Sequence, residues 1–187
     1  SQKGQHGLIF HDGKRQDLIM AFEVSATAPL DSLAWIVPVP AVPDRFDTAS
    51  AALLGDVAKW TSVRRVVVRK QKIAVKARGM GKATQRGAKP KVLEILPPAE
   101  AGPYVIVPLK ATGDAGVEAL RDWMKTNGFV PLEKDKLSYY VERKWTFLAV
   151  KIAPKKGEKA ISDKGLLPPL SLSFSSKRAV YPLKLST

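Results

Sequence analysis

Cysteine is absent from the 187 residues. Its absence excludes disulfides, thiolate metal ligands and thiol nucleophiles, and it leaves the redox compartment open, because a cysteine-free chain can serve on either side of a membrane. Histidine is nearly absent: only His6 and His11 occur. Their odd spacing turns them to opposite faces of an extended stretch, so no shared metal ion is expected and each is read as a surface residue. Long apolar runs are missing as well. The most apolar stretch, LAWIVPVPAVP from Leu33 to Pro43, is too short and too broken by proline to span a bilayer, and no transmembrane segment is expected. The opening SQKGQHG is polar, so no signal peptide is visible; an exported chain would have had its leader removed.

Catalytic motifs are also lacking. GMGK at Gly79 to Lys82 has the glycine and lysine of a phosphate loop, but such a loop needs glycine at position 76 and a hydroxyl residue at 83, where Lys76 and Ala83 stand. There is no GxSxG elbow, no HExxH and no closely spaced carboxylate pair beside a basic or apolar run. Serines are many, yet both histidines lie near the start with no residue identifiable as their orienting partner. The expectation is a non-enzyme with no cofactor and no metal. Trp35, Trp60, Trp123 and Trp145 could stack on sugars or bases; their apolar neighbours favour core or half-buried positions.

The last absence is the most informative. Between Asp56 and Glu94 there is no acidic residue, while Lys59, Arg64, Arg65, Arg69, Lys70, Lys72, Lys76, Arg78, Lys82, Arg86, Lys89 and Lys91 fall inside that window. Taking these 12 from the 31 basic residues leaves 19 against 17 acidic ones, so nearly the whole net charge of +14 sits in one segment of an otherwise near-neutral chain. Such a field attracts polyanions by Coulomb steering and counterion release without specifying which polyanion.

What is present reads as one globular domain over residues 1–187, with 45% hydrophobic and 26% charged residues and length enough for a single core. LIFH and DLIMAFEV flank Asp12-Gly13, a β-hairpin signature. Leu18, Met20, Phe22 and Val24 share one face of the second strand, and Ile19 and Ala21 make the other face apolar too, as in a strand covered on both sides. Pro38 and Pro40 make the segment after Trp35 an edge or terminal piece of sheet. Thr48 to Trp60 reads as a helix behind a hydroxyl cap, with Leu53, Leu54 and Val57 at helical spacing. A better-marked helix has Asp114 as N-cap, Val117, Leu120 and Met124 on one face, and Asn127-Gly128 as its stop. WTFLAVKI from Trp145, LSLSF from Leu170 and VYPLKLS from Val180 have strand periodicity, and Lys155 to Gly165 reads as a loop. The fold expected is α+β: a mixed or largely antiparallel sheet system with the Asp114 helix packed against it, two main helices, and a basic hairpin and loop inserted at 63–91.

Within that insertion Lys72, Lys76 and Arg78 alternate with Ile73, Val75 and Ala77, so a strand would show one cationic and one apolar face. Its like charges would stand about 7 Å apart. RGMGKATQRGAKPK then reads as a glycine-rich basic loop. A charge run is commonly just the solvated face of a hairpin. Against that, a ladder of one sign repels itself, and idle surfaces normally intersperse signs. The candidate anion-binding set is Arg64, Arg65, Arg69, Lys70, Lys72, Lys76, Arg78, Lys82, Arg86, Lys89 and Lys91.

Five motifs in order, AWIVPVP (Ala34 to Pro40), GPY (Gly102 to Tyr104), WMKTNGF (Trp123 to Phe129), WTFLAVK (Trp145 to Lys151) and VYPLKLS, resemble an uncharacterised bacterial family, domain of unknown function 2330, over nearly the whole chain. The resemblance implies an exported protein, made with a signal peptide and sometimes a membrane anchor, with no established activity or catalytic residue. It further implies a low-complexity insertion between the first helix and the GPY strand, the slot that the basic segment fills here. The function expected is an exported, extracytoplasmic binding or scaffold domain whose basic segment docks on an anionic polymer, a membrane surface or an acidic protein. Two alternatives stay open, a nucleic-acid-binding module and an enzyme of unrecognised type. The first is disfavoured because Thr61 to Lys91 contains no aromatic residue for base stacking, and its β-branched residues and glycines do not suit a basic helix.

Overall fold

Asp12 builds the first turn. Its carboxylate accepts the backbone N–H groups of Lys14 (2.8 Å) and Arg15 (2.7 Å), Gly13 takes a positive φ of 93°, and the chain doubles back from β1 (Gln2–His11) into β2 (Arg15–Val24). Those amide contacts, Arg15 first and then Lys14, hold the Asp12 carboxyl below its usual range. The computed structural model describes residues 2–24, 33–61, 92–153 and 167–182.

The strands separate into two antiparallel sheets. The first has the order β1-β2-β9-β4, with β9 (Leu170–Ser175) between β2 and β4 (Arg45–Thr48). The second runs β3-β8-β7-β5, where β3 is Ala34–Val39, β8 Thr146–Ile152, β7 Tyr104–Ala111 and β5 Leu93–Ile95; β6 (Ala99–Ala101) also pairs with β7. Among the described strands β3 lies at the edge of its sheet, as Pro38 favours, with Pro38 opposite Phe147. Pro108 lacks a donor at the point where β7 passes from β6 to β5 as its outer neighbour, so the missing N–H falls in a gap of the ladder.

Three layers result. Leu18, Met20 and Phe22 of β2 and Leu170, Leu172 and Phe174 of β9 meet Tyr104, Ile106, Leu148 and Val150 of the second sheet in one core. The opposite face of that sheet, Leu109, Ala111, Phe147 and Ala149, is covered by α2 (Gly113–Thr126) and α3 (Lys134–Glu142) in a second core. β8 therefore buries both its faces, which is why its sequence is apolar almost throughout. The result is an α+β fold, with the single sheet system expected from periodicity divided in two. Alternation of apolar residues identifies strands but carries no information on which strands are neighbours.

The helices differ from expectation in three details. α1 (Ala51–Thr61) starts behind Ser50, whose hydroxyl accepts the Ala52 N–H at 3.2 Å, whereas Thr48 ends β4. α2 begins at Gly113 behind Thr112, so Asp114 lies inside the first turn, favourable to the helix dipole but not the cap. At its other end the Phe129 N–H reaches the Met124 carbonyl (2.8 Å) and the Gly128 N–H that of Lys125 (3.2 Å), a Schellman closure around Gly128 at φ 75°. α3 is an additional helix. Its Leu137, Tyr140 and Val141 are buried, and the same closure follows it, with Lys144 rather than glycine at φ 57°. The hairpin and loop expected at 63–91, the loop at Lys155 to Gly165, and Leu183 and Leu185 lie outside the described residues.

Candidate functional site

The described chain borders the cationic segment at both ends. Before it, α1 carries Leu53, Val57 and Trp60 at i, i+4 and i+7, with Leu54 beside them; Asp56 and Lys59 are paired at 3.4 Å. Leu53, Leu54 and Val57 are half-buried, and Trp60 is 82% exposed. This corrects the expectation of a core or half-buried Trp60. Trp35, Trp123 and Trp145 are half-buried against the two cores as expected. Trp35 packs between Phe22 (ring centroids 4.6 Å apart) and Tyr104 (6.0 Å), and its buried Nε1 has no hydrogen-bond partner among the described residues.

After the segment the chain is fixed at Val92. Its carbonyl accepts the Thr112 N–H (3.0 Å) at the mouth of α2, and it leads directly into β5. The approach is close: a Cβ on Gly116 would lie 2.7 Å from the Val92 oxygen. Val92, the first described residue after the cationic run, is thus tied to the β7–α2 corner, and α1 before the run carries its largest apolar side chain, Trp60, to solvent. The eleven candidate anion-binding residues, Arg64 through Lys91, lie outside the described residues.

Several polar residues within the described chain hold the fold together. His11 Nε2 lies 3.0 Å from the Ser176 carbonyl oxygen, and Nδ1 accepts the Gly13 N–H at 3.3 Å, contacts that select the Nε2–H tautomer. The Ser173 hydroxyl donates to Asp17, and that of Ser176 to the Arg178 carbonyl at 2.6 Å. Gln16, fully buried, grips both backbone groups of Val180: its Nε2 donates to the carbonyl (2.7 Å) and its Oε1 accepts the N–H (2.8 Å). This amide acts as one rung of a strand, binding the segment after β9 to β2. Among the described residues no three acidic or histidine side chains are grouped to hold a metal ion. In these contacts the His11 ring meets backbone groups, while Ser173 bonds to a carboxylate, so neither forms a nucleophile–base pair.

Charge pairs elsewhere are exposed. Arg15 makes a two-pronged contact to Asp44, both distances 2.7 Å, and that hydrogen bond lowers the Asp44 carboxyl and raises the guanidinium. Lys134, with Arg121 further off, lowers Glu118. Among the described residues Tyr104 is the one strongly perturbed group, its hydroxyl raised well above the ordinary tyrosine value by burial and donating to the Pro168 carbonyl at 2.5 Å. An open groove of about 730 Å³ is lined by Gly13, Lys14, Pro40, Ser175, Ser176 and Lys177. Its two lysines stand far apart in sequence, and no local motif could have announced that they share it.

Two antiparallel sheets, the second covered by a pair of helices, define an α+β fold. The chain belongs to the family described as an uncharacterized protein conserved in bacteria, domain of unknown function 2330, which matches residues 2–187. No curated protein and no solved structure matches it. No helix among the described residues is long and apolar enough to cross a membrane.

Proposed function

We propose that this chain is a non-catalytic binding or scaffold domain of the bacterial cell envelope, exported from the cytoplasm, that docks through its basic segment on an anionic surface or polymer. The observation that carries the reading is the charge distribution: 12 cations and no acid between Asp56 and Glu94, beside a remainder that is nearly neutral. Within the described residues Arg15, Arg45, Lys59, Arg121, Lys125, Lys134 and Lys136 each have a carboxylate partner. The excess charge of the sequence is concentrated in one segment, and concentrated charge is what releases counterions from a polyanion.

Heparin binding followed over a range of salt concentration tests the docking. The logarithm of affinity should fall linearly with the logarithm of salt, and the triple variant Lys72→Gln, Lys76→Gln, Arg78→Gln should flatten that slope by about two to three. Its thermal stability should be unchanged or slightly raised, because like charges no longer repel. A triple variant that binds as the parent does would reduce the segment to a solvated surface. The location is tested by fractionating the native host, where recovery in the cytoplasm would overturn it.

A further inference from the structure

α1 differs from α2 and α3 in how it uses its apolar side chains. α2 and α3 bury complete stripes, Val117, Leu120 and Met124 in one and Leu137, Tyr140 and Val141 in the other. None of the α1 side chains from Ala52 to Trp60 is fully buried. Leu53, Leu54 and Val57 are half-covered, and the stripe ends on Trp60, the most exposed aromatic ring among the described residues at 82%. A tryptophan at the surface of a water-soluble body forgoes the burial that its large ring would otherwise gain. The position is specific: after Trp60 the sequence from Thr61 to Lys91 brings eleven lysines and arginines and no acid.

An apolar stripe with an exposed indole, followed by a polybasic run, is the combination that a charged bilayer rewards twice. The anionic headgroups attract the cations, each one near the surface strengthening binding by roughly fivefold. The indole, apolar in body and with one N–H donor, fits the boundary between headgroups and acyl chains. A soluble anionic polymer rewards only the charge and has no apolar phase to receive Trp60. Single-stranded nucleic acid would use aromatic rings in succession, and none occurs from Thr61 to Lys91.

We propose that α1, with Trp60 as its inserting side chain, is a membrane-contact face that lays this domain on an anionic phospholipid bilayer. The proposal rests on the reading of the basic segment as an anion-docking element, and it narrows the partner to a lipid surface.

The test uses the full chain and its Trp60→Ser and Trp60→Phe variants against vesicles of phosphatidylglycerol with phosphatidylcholine, phosphatidylcholine vesicles, heparin and oligo-dT. Because Trp60 is exposed, both variants should fold, which thermal melts check. Expected results are salt-sensitive binding to the anionic vesicles, weakened on the order of tenfold by Trp60→Ser and largely kept by Trp60→Phe. Heparin affinity should stay within about twofold. Brominated acyl chains should quench the parent's fluorescence more than that of Trp60→Ser. Unchanged vesicle binding by Trp60→Ser overturns the proposal, as does an equal loss on heparin. Heparin binding by a parent that ignores anionic vesicles overturns the lipid assignment and leaves the docking reading standing, whereas failure to bind either removes both. Trp60-dependent binding to oligo-dT in place of vesicles assigns the ring to base stacking and overturns the proposal.

Discussion

Replacing Leu120 with alanine tests the layer that carries the helices. Leu120 is fully buried and packs in one core with Val117, Met124, Leu137, Tyr140 and Phe147, so both helices and the face of β8 touch the same space. The substitution removes three carbon atoms. At about 0.8 kcal/mol for each buried methylene equivalent the transfer loss is about 2.4 kcal/mol. A cavity term follows, because helix and sheet walls collapse only partly, and brings the expected loss to about 3 to 4 kcal/mol. Urea unfolding followed by circular dichroism reads it as a lower midpoint at unchanged slope. Two comparisons sharpen the result. Val130→Ser, at a position 83% exposed, should stay within about 0.5 kcal/mol, and Leu54→Ala on half-buried α1 should cost less than half of the Leu120 loss. A Leu120 loss below about 1 kcal/mol would mean that α2 is not docked on the second sheet, and the three-layer arrangement would be wrong.

Two further outcomes follow from single contacts. Gly116→Ala should destabilise by about 1 to 2 kcal/mol in the same melts, although alanine is the better helix former by about 1 kcal/mol, because its Cβ would press on the Val92 oxygen and the Ala111 backbone; a stabilised variant would refute the close approach at that corner. Tyr104 predicts an alkaline limit. Its folded hydroxyl is raised above the unfolded value of 10.0, so its stabilisation is complete below pH 10 and is lost as pH rises beyond it, at about 1.4 kcal/mol per pH unit. Tyr104→Phe should cost about 1 kcal/mol at neutral pH through the lost bond to Pro168 and shallow the alkaline fall by one proton. An identical alkaline slope in parent and variant would show that the hydroxyl titrates freely in the folded state.

What the amino-acid order revealed, and what it hid, follows from the range over which each signal acts. The Asp12-Gly13 hairpin, the proline-marked edge at Pro38 and the Asn127-Gly128 stop are written in neighbouring residues, and each is found where its local chemistry places it. α3 escaped because two of its local features mislead: Tyr139, Tyr140 and Val141 have strand propensity, and the closure that normally displays glycine carries Lys144 in the left-handed region. Helical spacing of Leu137, Tyr140 and Val141 was the available signal, three residues in a nine-residue helix dominated by charge. The division into two sheets had no local signal at all, since it depends on β9 pairing with β2 some 150 residues earlier in sequence. Gln16 is the same case in miniature: it reads as an ordinary polar residue at the start of a strand, and only the fold turns its amide toward the backbone of Val180.

The candidate site divides along the same line. Charge is a composition-level property, so the cationic segment is legible without any structure; exposure is a tertiary property, so Trp60 is not. Apolar neighbours pointed Trp60 to a core or half-buried position, and the helical stripe beside it is real, but Trp60 at its end faces solvent. The two findings gain force together. A basic run beside a fully packed helix would be explained by solvation, and an exposed tryptophan beside a neutral loop by tolerance of an isolated apolar surface residue. Side by side in sequence, they put a desolvation gain and a Coulomb attraction next to each other along the chain, which is why the decisive measurement varies Trp60 and the cations separately on the same set of anionic partners.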